Sequence, residues 1–461
     1  MSRATTTRWD ASTCTRTEHA ARAERAAAQL RDGGTLPIGL AKDTSNLFRD
    51  RREAHKQRLD LRDFDHVIAV DAQSGAVEVE GLVSYEALVD ATLALGQMPA
   101  VVPQLKTITA GGAVAGVGIE ASSFRQGLVH DTLLEADVLL GDGRIVTCRP
   151  DNVHRDLFLG LANSYGTLGY ALRLVLRTIP VKRFVAVEHR RHRSAAAFFD
   201  ALERACDDAT VDFVDGVVFG VDDLVLNVAR GVDIAPIPSD YTYLDLYWHS
   251  LRERPHDTLT IRDWLWRWDT DWFWCSRNFG AEHRWLRRLL GRERLNSRTY
   301  TRVMRWNARW GLTRKLAAAR GFRHVESVIQ DVDLPAPHAA DFLAFLLNEI
   351  GIVPIWICPI RAGDAALPFT LYPLVPGVRH VNFGFWDVVQ RRERFDKGHF
   401  NRLVERRVVA AGGIKSLYSE SFFTPEEFAR AYRMDRYAAL KARYDPCHRF
   451  LGLYEKCVRG A

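Results

Sequence analysis

Polar and apolar positions alternate from Ala76 to Val83, just after an apolar run from His66 to Asp71 and the turn Ser74–Gly75. This pattern predicts two adjacent strands. Tyr85 to Leu95 then takes helical spacing and stops at Gly96. Upstream, Thr17 to Leu30 reads as an Ala-rich helix ended by Gly33–Gly34. Downstream, strands are predicted at Glu135–Leu140 and Ile145–Cys148 across the turn Gly141-Asp142-Gly143, then a helix near Leu157 and an apolar run closed by Pro180. From Lys182 the texture changes. VAVEHRRHR and VDGVVFGVDDLVLNVARG predict strands of a second sheet, Phe198–Cys206 a helix, and Asp257–Arg320 a long helical stretch. IVPIWICPI and VRHVNFGFWDVV return to strand, and helices are expected near Phe400–Ala410 and from Pro425 onward.

A length of 461 residues exceeds one compact core. The pattern divides the protein into an extension (1–34), a first lobe (35–183), a second lobe (184–410) and a closing segment (411–461). Seven cysteines, an odd count without a CxxC pair or a Cys/His cluster, fit reduced thiols and no structural zinc or other metal. There is no apolar signal-peptide core and no apolar run of membrane-spanning length, so a cytoplasmic protein is expected. Net charge is +6, but residues 251–320 hold 17 basic and 7 acidic side chains, leaving the rest near −4. A basic excess this local implies one surface with an anionic partner.

The first lobe centres on TITAGGAVAGVGIEASSFRQGLVHD, Thr107 to Asp131. Gly111, Gly112, Gly116, Gly118 and Gly127 permit close backbone approach, and Thr107, Thr109, Ser122 and Ser123 add hydroxyls. Consecutive N–H groups in such a loop suit a pyrophosphate; the same glycines also suit tight turns. GVGIEA imitates a GxGxxA fingerprint but neither follows a first strand nor opens a βαβ helix, so a Rossmann site does not fit.

PQLKTITAGGAVAGVGIEASSFRQG resembles the FAD-binding signature of the PCMH-type flavoproteins. It is most similar to the sterol Δ24-reductase branch and to bacterial relatives that reduce methylene-branched fatty acyl chains. HVESVIQDVDLP, VPIWICPI, GGIKSLYSESFFTPEEF and the tail YEKCVRG resemble the same branch, and GLAKDTSNLFRDR resembles the acyl-chain reductases. The likeness runs from about Pro37 to the end. It implies an α+β fold: a two-subdomain FAD-binding lobe, a cap domain with an antiparallel sheet, and a C-terminal segment returning to the FAD lobe.

The resemblance also implies cofactor contacts. A first phosphate loop would include Lys42, Thr44, Ser45 and Asn46, with Lys42 departing from the glycine-rich loop of many relatives. Thr107, Thr109, Gly111, Gly112, Gly116 and Gly118 would form a second loop. Ser122, Ser123 and Gly127 would lie near the flavin ring, and Gly166 and Gly169 would line it. FAD is expected to be non-covalent, although His130 follows the loop. NADPH is the expected electron donor.

The expected reaction is reduction of a lipid C=C bond, first of a methylene-branched acyl chain on phospholipid. A sterol side chain, or oxidation of an alcohol or hydroxy acid, are the alternatives, and a silent flavoprotein serving a lipid methyltransferase is a third class. An isolated alkene needs a proton donor opposite the flavin in a dry pocket. Glu120, His324 and Tyr418 are the candidates, with His380 behind them, and Lys415 could meet a phosphate. Finally, Trp264, Trp266, Trp268, Trp272, Trp274 and Trp285, with Trp306 and Trp310, stand among arginines. That mixture suits an anionic bilayer surface or a packed cap. No nucleic-acid motif accompanies it, so nucleic acid is not an expected partner, and a peripheral position on the inner face of the plasma membrane follows from the bilayer reading.

Overall fold

In the computed structural model, residues 12–31, 34, 36–41, 48–49, 56–300, 302–303 and 312–460 are described. The helix at the start spans Arg16–Arg31, and a parallel pair follows, β1 (Ile38–Ala41) with β2 (Gln57–Asp60). The first lobe then builds a six-stranded sheet from β3 (Val67–Asp71), β4 (Ala76–Glu80), β5 (Gln97–Pro99), β6 (Leu133–Leu139), β7 (Ile145–Cys148) and β8 (Tyr170–Pro180). Its order is β3-β4-β8-β6-β7, with β5 on β8. Long β8 sits at the centre because its alternating residues bury Leu172, Leu174 and Leu176. The helix Tyr85–Leu93 starts where Ser84 accepts from the Ala87 N–H, and it buries Tyr85, Leu88 and Val89.

The second lobe is an eight-stranded antiparallel sheet. Its strands are β9 (Phe184–His192), β10 (Phe213–Gly220), β11 (Asp223–Val232), β12 (His256–Thr260), β13 (His324–Pro335), β14 (Ile355–Ile360), β15 (His380–Arg391) and β16 (Ile414–Lys415), in the order β12-β9-β11-β10-β14-β15-β13-β16. Strand parity assigns its two faces. Val328 and Val332 of β13, Ile355 and Ile357 of β14, and Val381, Phe383 and Phe385 of β15 pack with Phe198, Phe342 and Val404 of three covering helices. Trp356, Cys358 and Ile360 point the other way and join the core of the first lobe. The fold is therefore α+β, with the cap sheet laid against the glycine-rich lobe.

Two expectations change. Among the described residues, the stretch 257–320 is helical only in pieces. Its first residues form β12, a short helix (Ile261–Leu265) follows, residues 266–274 wind through turns, and helices return at Arg284–Leu290 and Leu312–Ala319. Trp272, Phe273 and Trp274 all take left-handed φ values of 55°, 52° and 56°. Such a conformation costs about 1–2 kcal/mol per non-glycine residue. Packing offsets it here, since Trp272 stacks on Tyr300 at 4.3 Å and Phe273 on Trp268 at 4.8 Å. The closing segment also does more than return to the first lobe. Its β16 first edges the cap sheet beside β13; then Leu417 N–H donates to Asn163 Oδ1 (3.1 Å) and Ile38 N–H to the Arg449 carbonyl (2.7 Å).

Candidate active site

The glycine-rich segment is a backbone platform. Thr109 is extended and caps a short helix, Ala110–Ala115, by accepting from the Gly112 N–H at 3.2 Å. Gly118 passes so close to Pro103 and Val129 that a Cβ there would lie 2.8 Å from both. The cap clamps this platform. Buried Asp269 accepts from the Lys106 N–H (3.0 Å) and the Ser297 N–H (3.4 Å).

Between platform and cap lies a cleft that is half open to solvent. Thr107, Thr109, Gly112, Gly116 and Gly118 form its polar wall; Trp272, Phe273, Tyr300, Trp386 and Tyr418 form an aromatic one. Three buried polar atoms at this cleft have no hydrogen-bond partner among the described residues: Gln104 Nε2, Trp272 Nε1 and Asp331 Oδ1. A cleft with a backbone wall for phosphates, an aromatic wall for a flat ring and unpartnered polar atoms between them fits FAD.

Among the described residues, one acid faces this cleft. Asp331 lies on β13 opposite Gly384 of β15, and a Cβ on Gly384 would come within 2.7 Å of Asp331 Oδ1. Glycine at that position makes room for the carboxyl group. Burial pushes Asp331 up to about 7, against the hydrogen bond from the Tyr418 hydroxyl, which lowers it. Tyr418 is itself pushed well above its usual value by burial and by the Asp331 charge. The Trp386 indole N–H donates to the Tyr418 oxygen at 2.9 Å. Asp331, the Tyr418 hydroxyl and the Trp386 indole thus stand in one row along the cleft, with the Trp386–Tyr418 link a 2.9 Å hydrogen bond.

Of the other proton-donor candidates, Glu120 lies behind the platform. It forms a buried ion pair with Arg267 at 2.6 Å, and the same guanidinium reaches Asp215 at 2.7 Å and stacks on Trp264. Burial, reinforced by Asp215, raises the Glu120 pKa despite Arg267. Glu120 is a strut between platform and cap and does not line the cleft. His324 is excluded as a donor by strand geometry. It has the opposite parity to Asp331 on β13, sits roughly 23 Å away along the strand, and pairs with Glu326 at 2.8 Å beside Phe395 and Phe400. His380, lowered to about 4 by burial, donates through Nδ1 to the Val378 carbonyl (2.9 Å) and accepts the Val375 N–H. Lys415 is buried on Glu405 at 2.8 Å and cannot meet a phosphate.

The other expected residues divide similarly. Gly111 sits on the platform with its N–H on the Gly81 carbonyl. Ser122 donates to the Ala100 carbonyl (2.8 Å), Ser123 accepts the Glu120 N–H, and Gly127 ends a short helix with φ 81°, so these three serve the loop itself and not the ring. Gly166 holds a turn, and Gly169 passes so close to β6 that a Cβ there would lie 2.5 Å from Val138; from their loop it is Tyr165 that reaches the cleft, with its hydroxyl 3.0 Å from Ser416 Oγ. His130 is buried against Phe369 and Tyr372 and does not line the cleft. Lys42, Thr44, Ser45 and Asn46 lie outside the described residues. Asp331, Trp386 and Gln104 were not anticipated. The signal for Asp331 was present in HVESVIQDVDLP, where two acids two residues apart share one face of an apolar strand.

A family model described as an FAD binding domain matches residues 34–149, which include the platform. The protein is 24% identical to the Delta(24)-sterol reductase of Pisum sativum over 464 residues, covering 89% of this chain and 78% of that protein. This is an FAD-dependent oxidoreductase of the sterol-reductase-like kind. The Delta(24)-sterol reductase of Mus musculus is also 24% identical, over 428 residues covering 86% and 76% of the two chains. Cytokinin dehydrogenase 7 of Oryza sativa subsp. japonica is 29% identical over 156 residues, 32% of this chain and 30% of that protein. The sterol reductases align along both lobes, so the similarity extends to the cap and to β13.

Proposed function

We propose that this flavoprotein reduces an isolated C=C bond in a lipid, and that a sterol-type side chain is its substrate class. The sterol reductases' likeness across both lobes favours that substrate over the acyl chain first expected. The observation that carries the reading is the Asp331–Tyr418–Trp386 row on the cleft wall. FAD bound in the cleft would, once reduced, supply the hydride for one alkene carbon. The protein's own residues supply the rest. With no carbonyl to take up negative charge, the alkene must be protonated at its less substituted carbon, and positive character then grows on the other. Asp331, held near neutral protonation by burial, keeps a proton available at physiological pH. Tyr418 passes it on, and the Trp386 N–H stabilises the oxygen left behind. Trp272, Phe273 and Tyr300 exclude water and offer ring faces to the developing cation.

The GLAKDTSNLFRDR opening keeps a methylene-branched acyl chain as the second reading; within it, residues 42–47 and 50–51 lie outside the described ones. NADPH is proposed as the donor because a reductase needs a source of reducing equivalents. The test is turnover of purified holoprotein with NADPH or NADH on two lipids in parallel: a sterol with a side-chain alkene and a phospholipid with a methylene-branched acyl chain. Saturation of the sterol supports the first reading. Saturation of the acyl lipid alone transfers the activity to the second. Peroxide formed from alcohols, with neither lipid reduced, contradicts both.

A further inference from the structure

The tryptophans first expected at a membrane are mostly elsewhere. Trp264, Trp266, Trp268, Trp272 and Trp274 are all buried in the cap and the cleft wall. Trp285 differs. It lies on the helix Arg284–Leu290 and is 65% exposed, and Leu289, one turn on, is 74% exposed. Positions four apart share a helix face. Arg287, on the opposite face, is fully buried and donates to the Tyr243 carbonyl at 2.5 Å, so it pins the helix with Trp285 and Leu289 outward.

The loop that leads into the residues tied to this helix exposes two more apolar side chains. Ile234 is 90% exposed and Ile237 95%. The loop is tied to the helix region by Arg292 on Asp240 (3.0 Å), by Arg292 on Thr242 (2.6 Å) and by the Arg284–Asp245 pair. Those pairs neutralise part of the local charge. Arg288 and Arg294 are exposed and make no ion pair with the described residues. Four large apolar side chains in water, with Arg288 and Arg294 outnumbering the exposed Glu293 among them, match the composition of a shallow bilayer anchor: a Trp at the interface, aliphatic tips below it, cations at head-group level.

We propose that this tip, formed by Ile234, Ile237, Trp285 and Leu289 with Arg288 and Arg294, docks the protein on an anionic lipid surface. The inference rests on the lipid-substrate reading only for its purpose: the same cap segment supplies Trp272 and Tyr300 of the cleft wall, so docking there brings the cleft to the lipid. Binding to vesicles is measurable without any substrate.

The test is flotation of FAD-loaded protein with phosphatidylcholine vesicles, with and without phosphatidylglycerol, at low and high salt. The expected result is flotation with the anionic vesicles, weakened by salt. The double change Trp285→Glu and Leu289→Glu should lower vesicle partition at least tenfold, with flavin absorbance and Tm unchanged. Val153→Glu, at a 77% exposed apolar residue of the first lobe, should leave partition unaltered. Three outcomes overturn the proposal: wild-type protein that stays unbound, equal loss in the Val153 variant, or a salt-stable dimer that the double change splits, which assigns the surface to a second copy of the protein.

Discussion

Replacing Asp331 with Asn tests the proton-donor assignment through stability and activity together. Its Oδ1 is buried, and the carboxyl group is pushed up to about 7, well above its ordinary value. An unfolded polypeptide gives up this proton near pH 4, whereas the folded protein holds it to about pH 7. Folding therefore loses stability as pH rises between those values, and the deficit is complete above pH 7. At about 1.4 kcal/mol per unit, the deficit reaches roughly 4 kcal/mol as an upper figure. Asn does not titrate, so Asp331→Asn removes the deficit. The variant should match the wild type near pH 4 and exceed it by about 1–4 kcal/mol at pH 8. Thermal unfolding across that pH range, followed by tryptophan fluorescence, measures the difference. Turnover should fall by about 10²–10⁴ in the same variant, because the proton store is gone. A stability difference that stays flat with pH would refute the buried-acid argument. Retained turnover would refute the catalytic one.

The remaining predictions follow from the same geometry. Gly384→Ala should displace the Asp331 carboxyl group and the Trp386 ring, both within 2.7 Å of the new Cβ, and cut turnover at least tenfold at unchanged FAD content. His324→Ala should cost about 1–2 kcal/mol of stability through lost packing and its Glu326 bond, with kcat unchanged; a hundredfold loss in kcat would contradict its placement on the far face. Arg267→Met leaves Glu120 and Asp215 buried without their shared cation, so stability should drop by about 3–5 kcal/mol, with a Tm loss that grows as pH rises and Glu120 ionises. Wild-type turnover, measured across pH at saturating lipid, should decline as pH rises through about 7, where Asp331 loses its proton.

Local pattern made the regular elements legible. The alternation at Ala76–Val83 became β4, and the helix at Phe198–Cys206 became Ala195–Asp207 behind a Ser194 cap. The glycine-rich segment was legible as a cofactor platform because glycine and hydroxyl content is a local property. The helix Ala110–Ala115 within it was not, since two of its six residues are glycines and the Thr109 cap sets its start. The Trp/Arg stretch left a bilayer surface and a packed cap both open for a related reason: composition gives neither inside nor outside, and ring contacts with Tyr300, Trp386 and Trp356 hold Trp272, Phe273 and Trp274 inward. His324 and Asp331 belong to one motif, and only strand parity together with Gly384 opposite separates the structural residue from the cleft residue. Glu120 was correctly near the platform in sequence, but its direction depended on Arg267, 147 positions away.

The most direct test of the account is a single turnover. FAD-loaded protein is reduced anaerobically, freed of excess reductant, and mixed with a sterol bearing one alkene in its side chain, while flavin absorbance and lipid mass are followed. The expected result is return of the oxidised flavin absorbance with a gain of two hydrogens in the sterol, and neither change in Asp331→Asn on the same time scale. Reduced protein that stays bleached in the presence of both the sterol and the methylene-branched acyl lipid would contradict a lipid alkene reductase.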